Sequence, residues 1–336
     1  MSATDESGPI AIDADRAGSA CGKVILLGEH AVVYGVPAIA VGIEHGVRAR
    51  ARATDGPSRL AVPAWGVEVR SGEDMDLAKA LDAVLAASDL GGHFSIEAEV
   101  ELPPGGGLGC SAALGVAVAR AIDPSAGLDA TTERVTAWER VFHGNPSGID
   151  AACASRGGCI FFTKGEGIEP VATGGALTLC VGNSGVTSST KSMVEAVARL
   201  RERRPEVVAK SFEGIRALVR NARLAVQAGD VFALGRLMDL NQMLLSGLFV
   251  STPEIERMCG LARDAGAYGA KLTGAGGGGC VVALVRGEGG AAAVLEAWRQ
   301  GGFHGFSTRV ADGSRPHAVR RGGAAGENGP ASEALS

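Results

Sequence analysis

The spacing of apolar positions differs between the two halves of the chain. Short apolar or alternating runs in the first half predict β-strands at residues 23–27, 38–43, 67–70 and 94–100. Longer segments of the second half carry apolar residues at helical spacing, which predicts helices at residues 192–202, 207–228 and 231–248. Further strands are expected at residues 177–181, 280–285 and 307–310. The pattern indicates a mixed α/β protein.

Two predicted helices of the first half differ in character. Residues 111–122 are apolar on nearly every side, which predicts a buried helix, and Pro124 ends it. The next helix is expected at about residues 130–142, with Asp129 as its N-cap.

Length and a glycine-rich stretch predict two domains. The chain has 336 residues, and a single domain usually has about 100 to 200. Glycines cluster with a proline at residues 163–175, so we place the two domains at residues 16–170 and 171–315. Residues 1–15 and 316–336 have few large apolar side chains, and we expect both to be disordered tails.

Composition narrows the class of protein. Hydrophobic residues make up 46% and charged residues 21%, and the net charge is −5 without a long run of either sign, so no nucleic-acid surface is indicated. The seven cysteines include no Cys-x-x-Cys pair, which predicts free thiols and no zinc site. No signal peptide is found, and no apolar run approaches the roughly 18 residues of a membrane span. We expect a soluble, cytoplasmic protein.

Glycine is the compositional outlier. The chain has 51 glycines, where average usage would give about 24, yet no Gly-X-Y period is present. The residues at 18–24 fail the Walker A pattern, because Val24 occupies the place of the hydroxyl that binds magnesium. Gly274, Gly276 and Gly279 fit GxGxxG, but the predicted strand that follows them contradicts a dinucleotide fingerprint.

A second glycine cluster, at residues 105–109, is better suited to bind an anion. Glycines allow the backbone to approach an anion closely, and the cluster ends where the buried helix begins. A triphosphate would fit there. Ser111 at the helix start would either give its hydroxyl to magnesium or cap the helix, and spacing alone favours capping.

Four segments together resemble the motifs of the GHMP small-molecule kinases. They are GKVILLGEHAVVYG at 22–35, PPGGGLGCSAA at 103–113, HGNPSGID at 143–150 and KLTGAGGGGC at 271–280. The resemblance implies a two-domain α/β (α+β) fold, with an N-terminal domain like ribosomal protein S5 domain 2 and a C-terminal ferredoxin-like domain. It also implies an active site in the cleft between the domains.

The reaction that the resemblance implies is transfer of the ATP γ-phosphate to the primary hydroxyl of mevalonate, with Mg²⁺ as cofactor. By this resemblance Ser111 and Glu139 are the metal ligands. The N-terminal domain is the ATP-binding one, and its ATP-binding residues are Pro104, Gly105, Gly106, Gly107, Leu108, Gly109, Cys110, Ser111 and Ala112. Without the motif, Glu139 would be interpreted as a solvated helix residue.

Catalysis is assigned by the same resemblance to Asp150 and Lys23. Asp150 would accept the proton of the hydroxyl or hold the alcohol in line, and Lys23 would stabilise a developing alkoxide. From the sequence alone Asp150 would be a helix cap and Lys23 a solvated lysine. The substrate-binding residues implied are Lys23, Glu29, His30, Asp150, Thr190, Gly274 and Ala275.

One residue departs from the family pattern. Cys110 replaces the serine commonly found before the magnesium serine, and its place near a helix N-terminus leads us to predict a depressed pKa and a reactive thiol. Two alternatives stay open: a family member that acts on phosphomevalonate or another small alcohol, and a catalytically silent binding protein. The sequence also leaves a homodimer open.

Overall fold

The computed structural model describes residues 16–88, 90–103, 105–143 and 148–310. Its first feature is a long antiparallel pair, β1 (Arg16–Leu27) and β2 (Ala38–Thr54). Both strands extend well beyond the predicted apolar runs. The prediction was too short because the outer parts of the strands alternate between buried and exposed positions and so contain no continuous apolar run. The predicted tails at 1–15 and 316–336 lie outside the described residues.

A seven-stranded sheet is built around this pair within the described residues. Its other strands are β3 (Arg59–Val62), β4 (Val67–Arg70), β5 (His93–Val100), β6 (Cys159–Thr163) and β7 (Gly167–Val171). The order is β4-β3-β5-β2-β6-β7, and β1 pairs with β2. β3 and β5 run parallel whereas the other pairings are antiparallel, so the sheet is mixed.

Helices accompany the strands of this sheet. They are α1 (Asp76–Ser88), α2 (Cys110–Ile122), α3 (Leu128–His143) and α4 (Ile149–Arg156). α2 packs against β1 and β2 and is buried along nearly its whole length, as its apolar sequence predicts. Asp129 lies inside the first turn of α3, which begins at Leu128, so its prediction as the N-cap was wrong by two residues.

The second sheet has four antiparallel strands among the described residues. They are β8 (Thr178–Asn183), β9 (Gly269–Thr273), β10 (Cys280–Val285) and β11 (His304–Arg309), in the order β11-β8-β10-β9. The helices of this part are α5 (Thr190–Arg203), α6 (Pro205–Ala228), α7 (Val231–Gly247), α8 (Pro253–Asp264) and α9 (Gly287–Gln300). The chain leaves the first sheet after Val171 and enters the second at Thr178.

Direct contacts hold the two sheets together beside the glycine clusters. The Thr273 hydroxyl accepts a hydrogen bond from the Ile25 amide at 3.0 Å, and Oγ1 lies 3.3 Å from the Ile25 carbonyl. Val310 forms an isolated bridge with Ile43. The end of β9 is therefore fixed against β1, and the loops after these strands face each other. No helix of the described chain has both the length and the apolar character needed to cross a membrane.

Candidate active site

The glycine loop at residues 105–109 presents free backbone amides to the cleft. Gly105, Gly107 and Gly109 have positive φ values between 69° and 71°. Between residues that the structure describes, no hydrogen bond is donated by the amides from 105 to 112. These donors and the N-terminus of α2 form a site suited to an anion. Pro104 lies outside the described residues.

Lys23 lies against this loop. The Lys23 amide donates a hydrogen bond to the Leu108 carbonyl at 2.8 Å, and its aliphatic stem crosses Gly109. A Cβ at Gly109 would lie 2.7 Å from Lys23 Cγ, closer than real Cβ contacts allow. Only glycine therefore fits both the conformation and the space at this position.

The Lys23 ammonium forms an ion pair with Asp150. The Nζ–Oδ1 distance is 2.9 Å, and β1 supplies the lysine while the first turn of α4 supplies the carboxylate. The Lys23 side chain is 6% exposed and that of Asp150 is 33% exposed, so the carboxylate is the more accessible member of the pair. Burial lowers the pKa of Lys23, but the Asp150 carboxylate more than offsets this, and the net pKa is raised.

Ser111 and Glu139 bring two oxygen atoms together beside this ion pair. Ser111 Oγ donates to Glu139 Oε1 at 2.8 Å, and the Trp138 indole N–H donates to the same Oγ at 3.3 Å. The N-cap of α2 is Gly109, so the capping role that spacing favoured for Ser111 was wrong. The physical reason is that Ser111 lies one residue inside the helix, where its hydroxyl faces α3.

The electrostatics of Glu139 suit a cation. Its side chain is buried, and burial together with the nearby Asp150 charge raises its pKa to about 7, although Ser111 and Lys23 act in the opposite direction. A buried carboxylate next to a second carboxylate is stabilised by a positive ion. Two hard oxygen donors also match magnesium, which keeps several waters and binds phosphates. No cluster of three or more His, Cys, Asp or Glu side chains forms a metal site among the described residues.

A buried ion pair that sequence reasoning missed joins the end of β1 to β9. The Lys271 ammonium contacts Glu29 Oε1, and Asn241 donates to Glu29 Oε2 at 3.2 Å. All three side chains are buried. Burial raises the pKa of Glu29 and lowers that of Lys271, and the charge of each partner offsets only part of the other's shift. The sequence feature that could have revealed this ion pair is the polar residue Asn241 on the apolar face of a predicted helix.

His30 connects the two domains at the same place. Its Nε2 lies 2.7 Å from the Ala275 carbonyl, and its backbone has a φ of 59°. Burial lowers the pKa of His30, and the contact with Ala275 offsets part of that shift. Glu29 and His30 thus lie just after the end of β1, and both side chains are buried.

The second glycine loop, at residues 274–279, packs against the first. A Cβ at Gly107 would lie 3.4 Å from Gly274 Cα. Two amides of this second loop bind within the protein, since Gly277 donates to the Val250 carbonyl at 2.7 Å and Gly279 to the Val186 carbonyl at 2.8 Å. This loop therefore forms a wall of the cleft, which is lined by Gly105, Gly106, Gly107, Ser188, Thr190, Thr273, Ala275, Gly276, Gly278 and Gly279.

Cys110 does not have the predicted reactivity. It is the first residue of α2, and its thiol packs against the hydrophobic core. Burial raises the pKa of the thiol to about 12. The prediction of a depressed pKa was wrong, because the cost of burying a thiolate exceeds the favourable effect of the helix N-terminus.

Comparison with known protein families shows to which family this chain belongs. Residues 76–158 match the GHMP kinases N-terminal domain, and residues 217–304 match the GHMP kinases C-terminal domain. A Pyrococcus horikoshii relative named mevalonate kinase is 36% identical over 299 residues, which cover 80% of this chain and 88% of the relative. The chain belongs to the GHMP kinase family.

Other relatives of this GHMP kinase carry the same name. An Aeropyrum pernix mevalonate kinase is 34% identical over 312 residues, which cover 88% of this chain and 95% of that protein. A crystal structure of L. major mevalonate kinase in complex with R-mevalonate has 29% identity and a TM-score of 0.77, and it covers 89% of this chain and 96% of that one. The predicted family and two-domain α/β fold are confirmed. As a GHMP kinase, the protein uses ATP.

Proposed function

We propose that the protein transfers the γ-phosphate of ATP to the primary hydroxyl of mevalonate, giving 5-phosphomevalonate and ADP. The observation that carries this proposal is the ion pair between Lys23 and Asp150, which lies beside a glycine loop whose amides donate no hydrogen bond to any described residue. The names of the relatives at 34% to 36% identity support mevalonate as the acceptor.

The chemistry follows from these positions. The substrate hydroxyl oxygen forms a bond to the γ-phosphorus while the bond from that phosphorus to the β,γ-bridging oxygen breaks, and ADP leaves. Asp150 is placed to accept the proton of the hydroxyl, because its carboxylate is the more exposed member of the ion pair. The Lys23 ammonium stabilises the developing negative charge on the attacking oxygen.

We infer that the first glycine loop, at residues 105–109, binds the phosphates of ATP. We assign Gly105, Gly106, Gly107, Leu108, Gly109, Cys110, Ser111 and Ala112 to ATP through their backbone. The amides and the α2 dipole are preorganised, so little reorganisation is needed when the triphosphate binds. Cys110 contributes through its amide, because its thiol packs against the hydrophobic core.

Ser111 and Glu139 are the residues that would hold Mg²⁺. Their oxygens already lie 2.8 Å apart in a buried site, so binding requires no large rearrangement. When bound, the ion neutralises phosphate charge and helps to orient the transferred group. Glu139 gains a positive neighbour in that state and becomes a better carboxylate ligand.

The acceptor side of the cleft is formed by Glu29, His30, Thr190, Gly274 and Ala275. Thr190 is the first residue of α5 and lines the cleft together with the glycine loops. Both buried lysines here are already paired, Lys23 with Asp150 and Lys271 with Glu29. A phosphorylated acceptor would need positive charge beyond these two lysines, whereas mevalonate carries no phosphate group.

A coupled ADP-release assay tests the proposal. Mevalonate, phosphomevalonate, galactose and homoserine are offered separately, and we expect turnover with mevalonate that requires Mg²⁺. Asp150→Ala should lower kcat by at least about a hundredfold, the usual contribution of a general base. Asp129→Ala, which removes an exposed aspartate of α3, is the matched control. Equal inactivity on all four alcohols, or full activity in Asp150→Ala, would refute the assignment.

A further inference from the structure

Trp138 contacts Ser111, one of the two proposed metal ligands. The residue precedes Glu139 in α3 and its side chain is fully buried. Its indole N–H lies 3.3 Å from Ser111 Oγ, and the hydroxyl itself donates to Glu139 Oε1 at 2.8 Å. A serine hydroxyl has one proton and two lone pairs. The two contacts use the proton and one lone pair, which leaves one lone pair for a metal ion.

The surrounding helices fix the indole ring in this position. Gly115 lies one helical turn after Ser111 on the same face of α2. A Cβ at Gly115 would lie 2.8 Å from two atoms of the Trp138 ring, so the ring lies directly on the helix backbone. The Phe142 ring packs on it, with centroids 5.9 Å apart. The N–H therefore has little freedom to move away from Ser111.

We propose that Trp138 is a positioning residue, whose N–H holds the Ser111 hydroxyl in the orientation that binds the Mg²⁺ of the nucleotide complex. This inference rests on the proposed function, because it takes Ser111 and Glu139 as the metal ligands. Trp138 lies outside the four segments that resemble family motifs. Its role follows from its contact with Ser111 in the folded chain.

Trp138→Phe removes the N–H and keeps an aromatic ring. Trp298→Phe is the matched control, because Trp298 is also fully buried and its N–H donates to the Met258 carbonyl at 2.9 Å, within the second domain. Mn²⁺ serves as a paramagnetic substitute for Mg²⁺. Its affinity for the protein with a non-hydrolysable ATP analogue is measured by electron paramagnetic resonance, and thermal unfolding of both variants is recorded.

We expect Trp138→Phe to weaken Mn²⁺ binding about five- to tenfold, the effect of losing one hydrogen bond. The KM for Mg²⁺ should rise by a similar factor, while the KM for mevalonate stays unchanged. Trp298→Phe should lower thermal stability and leave both metal constants unchanged. In a Ser111→Ala background, Trp138→Phe should have no further effect on Mn²⁺ affinity, because the hydroxyl is absent.

Wild-type metal affinity in Trp138→Phe would overturn the inference, as would an equal loss in Trp298→Phe. If Trp138→Phe does not fold, benzothienylalanine at position 138 keeps the two-ring shape without the N–H, and the same loss of affinity is expected. If the wild type turns over mevalonate and the Trp138 variant binds metal normally, only the inference about Trp138 is refuted. A wild-type protein that is inactive on mevalonate refutes the proposed function instead.

Discussion

In the metal-free protein, the buried Glu139 carboxylate is predicted to destabilise the fold at neutral and alkaline pH. Its pKa rises from an ordinary value of 4.5 to about 7 in the folded state, chiefly because of burial and then because of Asp150. The folded chain therefore binds this proton more tightly than the unfolded chain does. Each pH unit of difference corresponds to about 1.4 kcal/mol, so the whole shift amounts to about 3 kcal/mol. Proton binding by Glu139 therefore stabilises the folded state fully below pH 4.5, and this contribution is lost as the pH rises through 7.

Glu139→Gln removes the titrating group and preserves an oxygen that can accept from Ser111. The variant should be more stable than the wild type by up to about 3 kcal/mol at pH 8, and the difference should shrink toward pH 5. Urea unfolding at several pH values in the presence of EDTA measures this. Glu133→Gln, an exposed glutamate of the same helix, is the control and should follow the wild-type profile.

Parallel pH profiles for the wild type and Glu139→Gln would show that Glu139 is not destabilised by burial, and the electrostatic argument for a cation there would fail. Addition of Mg²⁺ and a non-hydrolysable ATP analogue should reverse the order of stability. The reason is that a bound cation stabilises the ionised form of Glu139, and a ligand that binds only the folded state raises its stability.

Three further predictions follow from single contacts. Native protein should react slowly with thiol reagents, because burial raises the pKa of Cys110 to about 12. A spectroscopic thiol titration should detect all seven cysteines only after denaturation. Rapid labelling of Cys110 in the native protein would contradict this. Gly109→Ala should cost about 1 to 3 kcal/mol of stability and lower kcat, because the new Cβ would displace the stem of Lys23, and urea unfolding with the ADP-release assay would detect both effects. Lys271→Met should cost about 3 to 5 kcal/mol in urea unfolding by leaving Glu29 buried and unpaired, and Glu29→Gln in the same chain should restore part of that loss.

Much of the fold was predictable because it depends on local patterns. The apolar sequence of α2 predicted its burial, and the run at 280–285 predicted β10 with its correct bounds. The strands β1 and β2 were predicted too short, since only their apolar parts give a clear signal and long-range pairing extends the rest.

The candidate site was predictable only through resemblance. Spacing by itself assigned Ser111 to helix capping and Asp150 to the same role, because a sequence pattern shows which residues are near in the chain and not which are near in space. In the folded chain the Ser111 hydroxyl contacts a residue 28 positions away. The same limit hid the contact between Glu29 and Lys271, which are 242 positions apart.

The sequence by itself determined the family, the alternation of strands and helices, and the glycines that allow the backbone of residues 105–109 to approach an anion. Tertiary structure decided the protonation of the groups around that loop. Cys110 lies at a helix N-terminus, which favours a thiolate, yet packing against the core raises its pKa. Glu139 is a surface-like residue in the sequence, yet burial and the nearby Asp150 raise its pKa to about 7. Charge stability depends on the surrounding solvent and charges, and those are set only when distant segments pack together.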